Sequence, residues 1–185
     1  VTQVTGLPDK ILELHRALHG AGIPHAFGGA LALAWCTQRP RGTVDIDLNV
    51  FVGVESVDTV LGALPGTVTW TDADRAELAR DGQVRVRWDE TPVDLFLNTT
   101  DFHAEVAERA RREVFAGTEL PFLSCTDLAV FKAFFDRTRD WADLEDMVDA
   151  GTLDADRVVG VLVRYLGAGD ARVDRIRDIT TRGRS

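Results

Sequence analysis

Asp45 and Asp47 stand two residues apart in the run Val44-Asp45-Ile46-Asp47-Leu48-Asn49-Val50-Phe51-Val52, where polar and apolar residues alternate. Alternation at this period predicts a strand, and in a strand residues i and i+2 leave the same face, roughly 6.5 Å apart. Two carboxylates so placed repel each other unless a cation lies between them. All-oxygen donors suit Mg²⁺ held together with the phosphates of a substrate, and the plain alternative is a solvated strand face. Asp94, in Val93-Asp94-Leu95, puts a third carboxylate on a strand that can lie beside the first. It would complete a two-metal site, accept the proton of an attacking hydroxyl, or simply face solvent. Gly28-Gly29 separates the short apolar piece His25 to Phe27 from the apolar segment Ala30 to Trp35. A strand-to-helix turn of this kind either offers backbone N–H groups and a helix N-terminus to a phosphate chain or is an ordinary tight turn.

A second group lies in the later half. Lys132 stands in Val130-Phe131-Lys132-Ala133-Phe134-Phe135, where an ammonium needs a partner. That partner is a nucleotide phosphate, or the side chain snorkels from a helix edge. Asp143 and Asp146 are three apart on one helix face, where they orient Lys132 or a ribose, or merely add surface acidity. Thr43 hydrogen-bonds a phosphate or shapes the turn before the strand. His15, His19, His25 and His103 have no metal-ligand spacing and are assigned to packing or surface, and no serine has a nucleophile-elbow context. The four tryptophans read as core anchors.

These residues need a scaffold. Leu7-Pro8-Asp9 opens a first amphipathic helix with Ile11, Leu14 and Leu18 on one face, closed by Gly20 and Gly22. His25 to Phe27 is a strand, and the Ala- and Leu-rich segment after Gly28-Gly29 is a helix. Val44 to Val52 is the acidic strand, followed by a helix from about Ser56 to Leu64. Strands are expected around 67–70, 83–88 and 93–97, the last two joined at Asp89 to Pro92. A helix over 101–112 precedes two extended pieces around Ala116-Gly117. Ser124 caps a helix through Ala129, Val130 and Phe134, and further helices run over 139–150 and 154–166. The fold class is therefore α+β: a mixed sheet with flanking helices over 1–123, then a helical region over 124–185 packed on it.

Composition narrows the function. The chain of 185 residues can close a core without disulfides. Cys36 and Cys125 form no CxxC pair and no disulfide framework, so two reduced thiols in a cytoplasmic protein are expected. No apolar stretch is long enough to span a bilayer. The formal charge of −9 argues against broad nucleic-acid binding, so any RNA contact must be local. Arg39 and Arg41, just before the acidic strand, are the best placed. The five Arg and two Asp between Arg172 and Ser185 make a second, locally positive segment.

Gly28-Gly29, a helix, Thr43-Val44-Asp45-Ile46-Asp47 and Val93-Asp94-Leu95 together resemble the nucleotidyltransferase superfamily that includes polymerase beta. Gly28-Gly29-Ala30-Leu31-Ala32-Leu33 and the R-x-T-x-D-x-D run from Arg41 to Asp47 look most like the AbiEii-type toxins and their mycobacterial MenT relatives. That group also carries a Lys on one helix and a KD-x-x-D run on the next, matched by Lys132 and by Asp143 to Asp146, with Ala142 in place of the second Lys. The resemblance spans about 27–147. It implies a Mg²⁺-dependent toxin of a toxin–antitoxin system that moves NMP from an NTP, ATP or CTP, to an RNA hydroxyl, the tRNA 3′ end by resemblance, and that has a cognate antitoxin. Asp45, Asp47 and Asp94 would be the metal ligands, Gly28, Gly29, Thr43, Lys132 and Asp143 would hold the nucleotide, and Asp146 would join the catalytic set. Small-molecule nucleotidyltransferases acting on aminoglycosides or lincosamides share the Gly-Gly and D-x-D layout and are the second reading. An inactive partner-binding module is the third.

Overall fold

In the computed structural model, which describes residues 6–40 and 42–183, the N-terminal part is a mixed sheet wrapped by short helices. Helix α1 (Leu7–Gly20) has Pro in its first turn and buries Ile11, Leu14 and Leu18 completely. Strand β1 (His25–Phe27) leads through Gly28 into α2 (Gly29–Thr37). Strand β2 (Ile46–Gly53) follows, then a 3-10 turn, α3 (Val57–Ala63) and the short β3 (Val68–Thr69). Helix α4 (Asp72–Asp81) leads into the hairpin β4 (Gln83–Trp88) and β5 (Thr91–Asn98). Helix α5 (Phe102–Glu108) precedes a second hairpin, β6 (Arg111–Phe115) and β7 (Thr118–Phe122). Its turn residues Ala116 and Gly117 both have positive φ, the geometry of a two-residue hairpin loop.

Among the described residues the seven strands form one sheet in the order β3-β4-β5-β2-β1-β7-β6. β2 runs parallel to β5 and antiparallel to β1, and β1 is parallel to β7. Strand β2 has one apolar face of Ile46, Leu48 and Val50, while Asp47 and Asn49 lie on the other face with Phe51. Along β2, Ile46, Leu48, Val50 and Phe51 are buried. At the β4–β5 edge the pattern alternates: Val84, Val86, Trp88, Val93, Leu95 and Leu97 face inward, while Arg85 and Asp94 share the other face.

Chain contacts divide the molecule into two compact units, the first running to Leu31 and resuming at Gly42–Leu123. The second comprises residues 32–40 and the chain from Ser124. It contains α6 (Cys125–Phe135), α7 (Thr138–Asp149), α8 (Ala155–Leu166) and α9 (Ala171–Arg182), packed on Leu128, Val130, Trp141, Leu144, Met147, Leu162 and Ile176. Ser124 caps α6 by accepting from the Asp127 backbone N–H at 3.1 Å.

Three sequence expectations change. Helix α4 fills a stretch given no element, because it buries only Leu78 and so has no apolar periodicity; its start is fixed by a capping box between Thr71 and Asp74. The helix expected over 101–112 stops at Glu108, and Arg111 and Arg112 are strand residues. Cys36 and Cys125 are not free thiols: they form a disulfide across 89 residues of sequence, with Cα atoms 5.5 Å apart. No local spacing announces a bridge between residues so far apart.

Candidate active site

The carboxylates come together where β2 begins. Asp47 lies within β2, but Asp45 sits in the bend just before it rather than in the strand itself. That bend is built by Thr43, whose hydroxyl donates to Asp45 Oδ1 at 2.5 Å and accepts from the Asp45 backbone N–H at 3.3 Å. Of the two roles open to Thr43 in the sequence, the structure displays the turn-shaping one. Asp94 is in register with Asp47 on the parallel neighbour β5, so both side chains leave the same face of adjacent strands.

The same row continues one strand further to Arg85, which pairs in register with Asp94. Its Nε and Nη2 donate to the two Asp94 carboxylate oxygens at 2.7 and 2.6 Å, and Nη2 lies 4.0 Å from Asp45 Oδ2. The hydrogen bonds it donates to Asp94, then the charges of Asp94, Asp45 and Asp47, hold the Arg85 guanidinium above its ordinary range. Sequence reasoning missed Arg85. Lys10 braces this hairpin: its buried ammonium donates to the Trp88 carbonyl at 2.8 Å and Thr91 Oγ1 at 3.0 Å, and pairs with Asp89 at 3.2 Å.

The glycine turn abuts these carboxylates. Gly29 opens α2 with φ +51°, a left-handed conformation that costs other residues about 1–2 kcal/mol. A Cβ there would overlap the Asp47 carboxylate. At Gly28 a Cβ would come within 2.8 Å of the amide nitrogen of the buried Asn49 and 3.2 Å of Leu123. Both positions are therefore glycine for steric reasons, and Asp47 lies against the start of a helix, where partial positive charge favours anions.

The donor set fits Mg²⁺. It is all carboxylate oxygen, as hard divalent cations require, and a guanidinium already stands among the carboxylates as a counter-charge. The three-ligand set expected from sequence is not formed as such: among the described residues no three His, Cys, Asp or Glu side chains converge as a metal-holding group.

Lys132 belongs to the helical unit, where its buried ammonium donates to Asp143 Oδ2 at 2.6 Å and lies 3.5 Å from Asp140 Oδ1. These partners are themselves buried, so the group is an internal α6–α7 ion cluster. Asp143 does orient Lys132, but the second carboxylate is Asp140; Asp146 is half-buried on the same helix. Arg39 is exposed, and Arg41 and Arg184 lie outside the described residues.

At the other end of β1, about three residues or 10 Å from the glycine turn, His15, His19 and His25 come together beside a cleft of about 260 Å³ shared with Phe51, Arg112 and Pro121. His15 Nδ1 is 2.9 Å from His25 Nε2, and His25 Nδ1 is 2.8 Å from the Ile23 carbonyl. Burial, then the neighbouring imidazoles and Arg112, pull His15 down to about 4. The packing role expected for these histidines holds for His15 and His25, both buried. The sequence did not show that they meet.

No protein-family model matches the chain, and no curated protein matches its sequence. Solved structures resemble its fold. ANT(2'')-Ia in complex with adenylyl-2''-tobramycin aligns with a TM-score of 0.54 at 15% identity, covering 96% of each chain. The solution structure of ANT(2'')-Ia, an antibiotic-resistance factor, gives 0.52 at 16% identity over 96% of this chain and 90% of that one. An antigenic nucleotidyltransferase-like protein from Paracoccidioides brasiliensis gives 0.51 at 13% identity, covering 94% and 87%. The chain thus has a nucleotidyltransferase-type fold, a mixed sheet with flanking helices.

Proposed function

We propose, from this fold and its carboxylate row, that the chain is a Mg²⁺-dependent nucleotidyltransferase that moves NMP from an NTP to an RNA hydroxyl, releasing pyrophosphate. One observation carries the reading: Asp47, which abuts the Gly28-Gly29 turn, lies in register with Asp94 on the adjacent strand β5, and Asp45 stands just before β2. Asp45 and Asp47 would hold the ion, which when bound supplies charge neutralisation at the phosphates and at the attacking oxygen. The backbone N–H groups opening α2 would bind the phosphate chain beside Asp47. Asp94, on the same face as Asp47, would take the proton of the acceptor hydroxyl or orient it. Thr43 holds Asp45 in position, and the resemblance carries Lys132 and Asp143 as nucleotide-binding residues and Lys132 and Asp146 as members of the catalytic set.

The acceptor we propose is the tRNA 3′ end, which would make the protein a translation-blocking toxin with a cognate antitoxin. The toxin motifs around Gly28-Gly29 and Arg41 to Asp47 support this reading, and Arg39 and Arg41 would contact the RNA. NTP supply argues for the cytoplasm, where the Cys36–Cys125 bond would meet a reducing thiol pool. Among the described residues no helix is long and apolar enough to cross a membrane.

One observation favours a second acceptor. The formal charge of −9 and the carboxylate site suit a cationic substrate, and ANT(2'')-Ia is a structural neighbour captured with an adenylylated aminoglycoside. Incubation with each α-labelled NTP, Mg²⁺ and either total tRNA or tobramycin separates the readings. Label on RNA supports the first, and label on the aminoglycoside alone replaces it with the second.

A further inference from the structure

We infer that Arg85 does the work of a second cation, so that the carboxylate site holds one divalent ion, on Asp45 and Asp47, rather than two. This rests on the metal-dependent reading above and departs from the three-carboxylate metal site that the sequence suggested. Both oxygens of Asp94 already accept from Arg85, at 2.7 and 2.6 Å, in the parallel two-point geometry in which guanidinium and carboxylate bind most strongly. The hairpin register sets Arg85 directly opposite Asp94, and Lys10 pins the turn that fixes this register. The guanidinium is therefore held at the carboxylate by the backbone rather than arriving from a flexible loop.

Charge points the same way. Arg85 already supplies a positive charge at Asp94 and beside Asp45, so the carboxylates call for less added charge than three acids alone would. A second ion at Asp94 would set a dication against the guanidinium that both Asp94 oxygens accept from and that is held 4.0 Å from Asp45. Arg85 does not lose its proton at any working pH, so this counter-charge is permanent. Asp94 is thus a positioned acceptor beside the ion, and Arg85 is the residue that positions it. Arg85 is the half-exposed member of the pair and its chain neighbours Val84 and Val86 carry the packing, so its substitution should leave the fold intact.

The test is metal stoichiometry, which does not depend on transfer activity. Mn²⁺ alone is titrated into the full chain and counted by electron paramagnetic resonance, for wild type, Arg85→Gln and Asp94→Asn, with circular dichroism as the folding control. One ion is expected in wild type and two in Arg85→Gln, where Asp94 is released. In Asp94→Asn one ion should remain, its affinity unchanged within about threefold, because Asp94 is not a ligand. Two ions in wild type, one in folded Arg85→Gln, or loss of the ion in Asp94→Asn would each overturn the inference. A wild type that binds two ions and still transfers label would remove Arg85's role and leave the proposed activity standing, whereas a wild type that binds no Mn²⁺ would remove both.

Discussion

Gly29 and Asp47 depend on each other. The positive φ of Gly29 and the carboxylate lying where its Cβ would be make Gly29→Ala a test of placement rather than of contact. It should cost about 1–2 kcal/mol of stability but at least about 100-fold in transfer, because displacing Asp47 disturbs both ion and phosphate binding. Denaturation curves beside kinetics check this, and a fully active variant would separate the turn from the chemistry. Lys132 calls for the opposite expectation. Its ammonium sits between the buried Asp140 and Asp143, so Lys132→Ala breaks a buried ion cluster and should destabilise the fold by about 3–5 kcal/mol. An unchanged melting temperature with lost NTP use would return Lys132 to a purely nucleotide-binding role. The Asp45/Asp47 pair and the glycine turn were legible in the sequence because they are local. Arg85 was legible in principle: a two-residue turn pairs Trp88 with Thr91, and counting back from it pairs Arg85 with Asp94. Placing the turn two residues longer hid that pairing.

Strand periodicity located most elements, yet it does not say which strands become neighbours. That β2 lies between β5 and β1, so that Asp47 faces Asp94, depends on long-range parallel pairing, which no local pattern encodes. Two further long-range features escaped in the same way, and each gives a measurement. The Cys36–Cys125 bond closes a segment that contains all three site carboxylates. Constraining a loop of that length in the unfolded chain stabilises the fold by about 4–5 kcal/mol, so reduction by a dithiol should lower the melting temperature markedly. The same shift in a Cys36→Ala variant would contradict this. The His15–His25 contact gives a pH dependence. His15 titrates near 4 when folded, against an ordinary value of 6.5, so between these pH values the unfolded chain binds the extra proton. Its contribution to stability is complete above 6.5 and is lost as pH falls toward 4, by about 3 kcal/mol at most. His15→Asn should flatten the stability difference between pH 7 and pH 4.5.

The molecule as a whole carries an acidic charge, so an RNA acceptor cannot be drawn in by its general field. Binding would depend on few contacts, and its salt dependence should be shallow, about 0.7 in logarithmic slope for each phosphate engaged. Replacing Arg39 and Arg41 together by Ser should lower tRNA labelling and flatten that slope while changing NTP binding less. Insensitivity of RNA labelling to both salt and these substitutions would favour the cationic small-molecule acceptor. Composition bounded this question without deciding it, because net charge constrains how a partner is attracted and not which hydroxyl reacts.

The most direct measurement is transfer of label from α-labelled NTP to tRNA with Mg²⁺, compared between wild type and the isosteric variants Asp45→Asn and Asp47→Asn. These keep side-chain shape and remove one charge each, so folding should be preserved while transition-state stabilisation of several kcal/mol is lost. The expected result is Mg²⁺-dependent labelling in wild type and at least about a 1000-fold lower rate in each folded variant. Equal labelling in wild type and both variants, or labelling that survives removal of divalent ions by a chelator, would contradict a carboxylate-held metal as the basis of the activity.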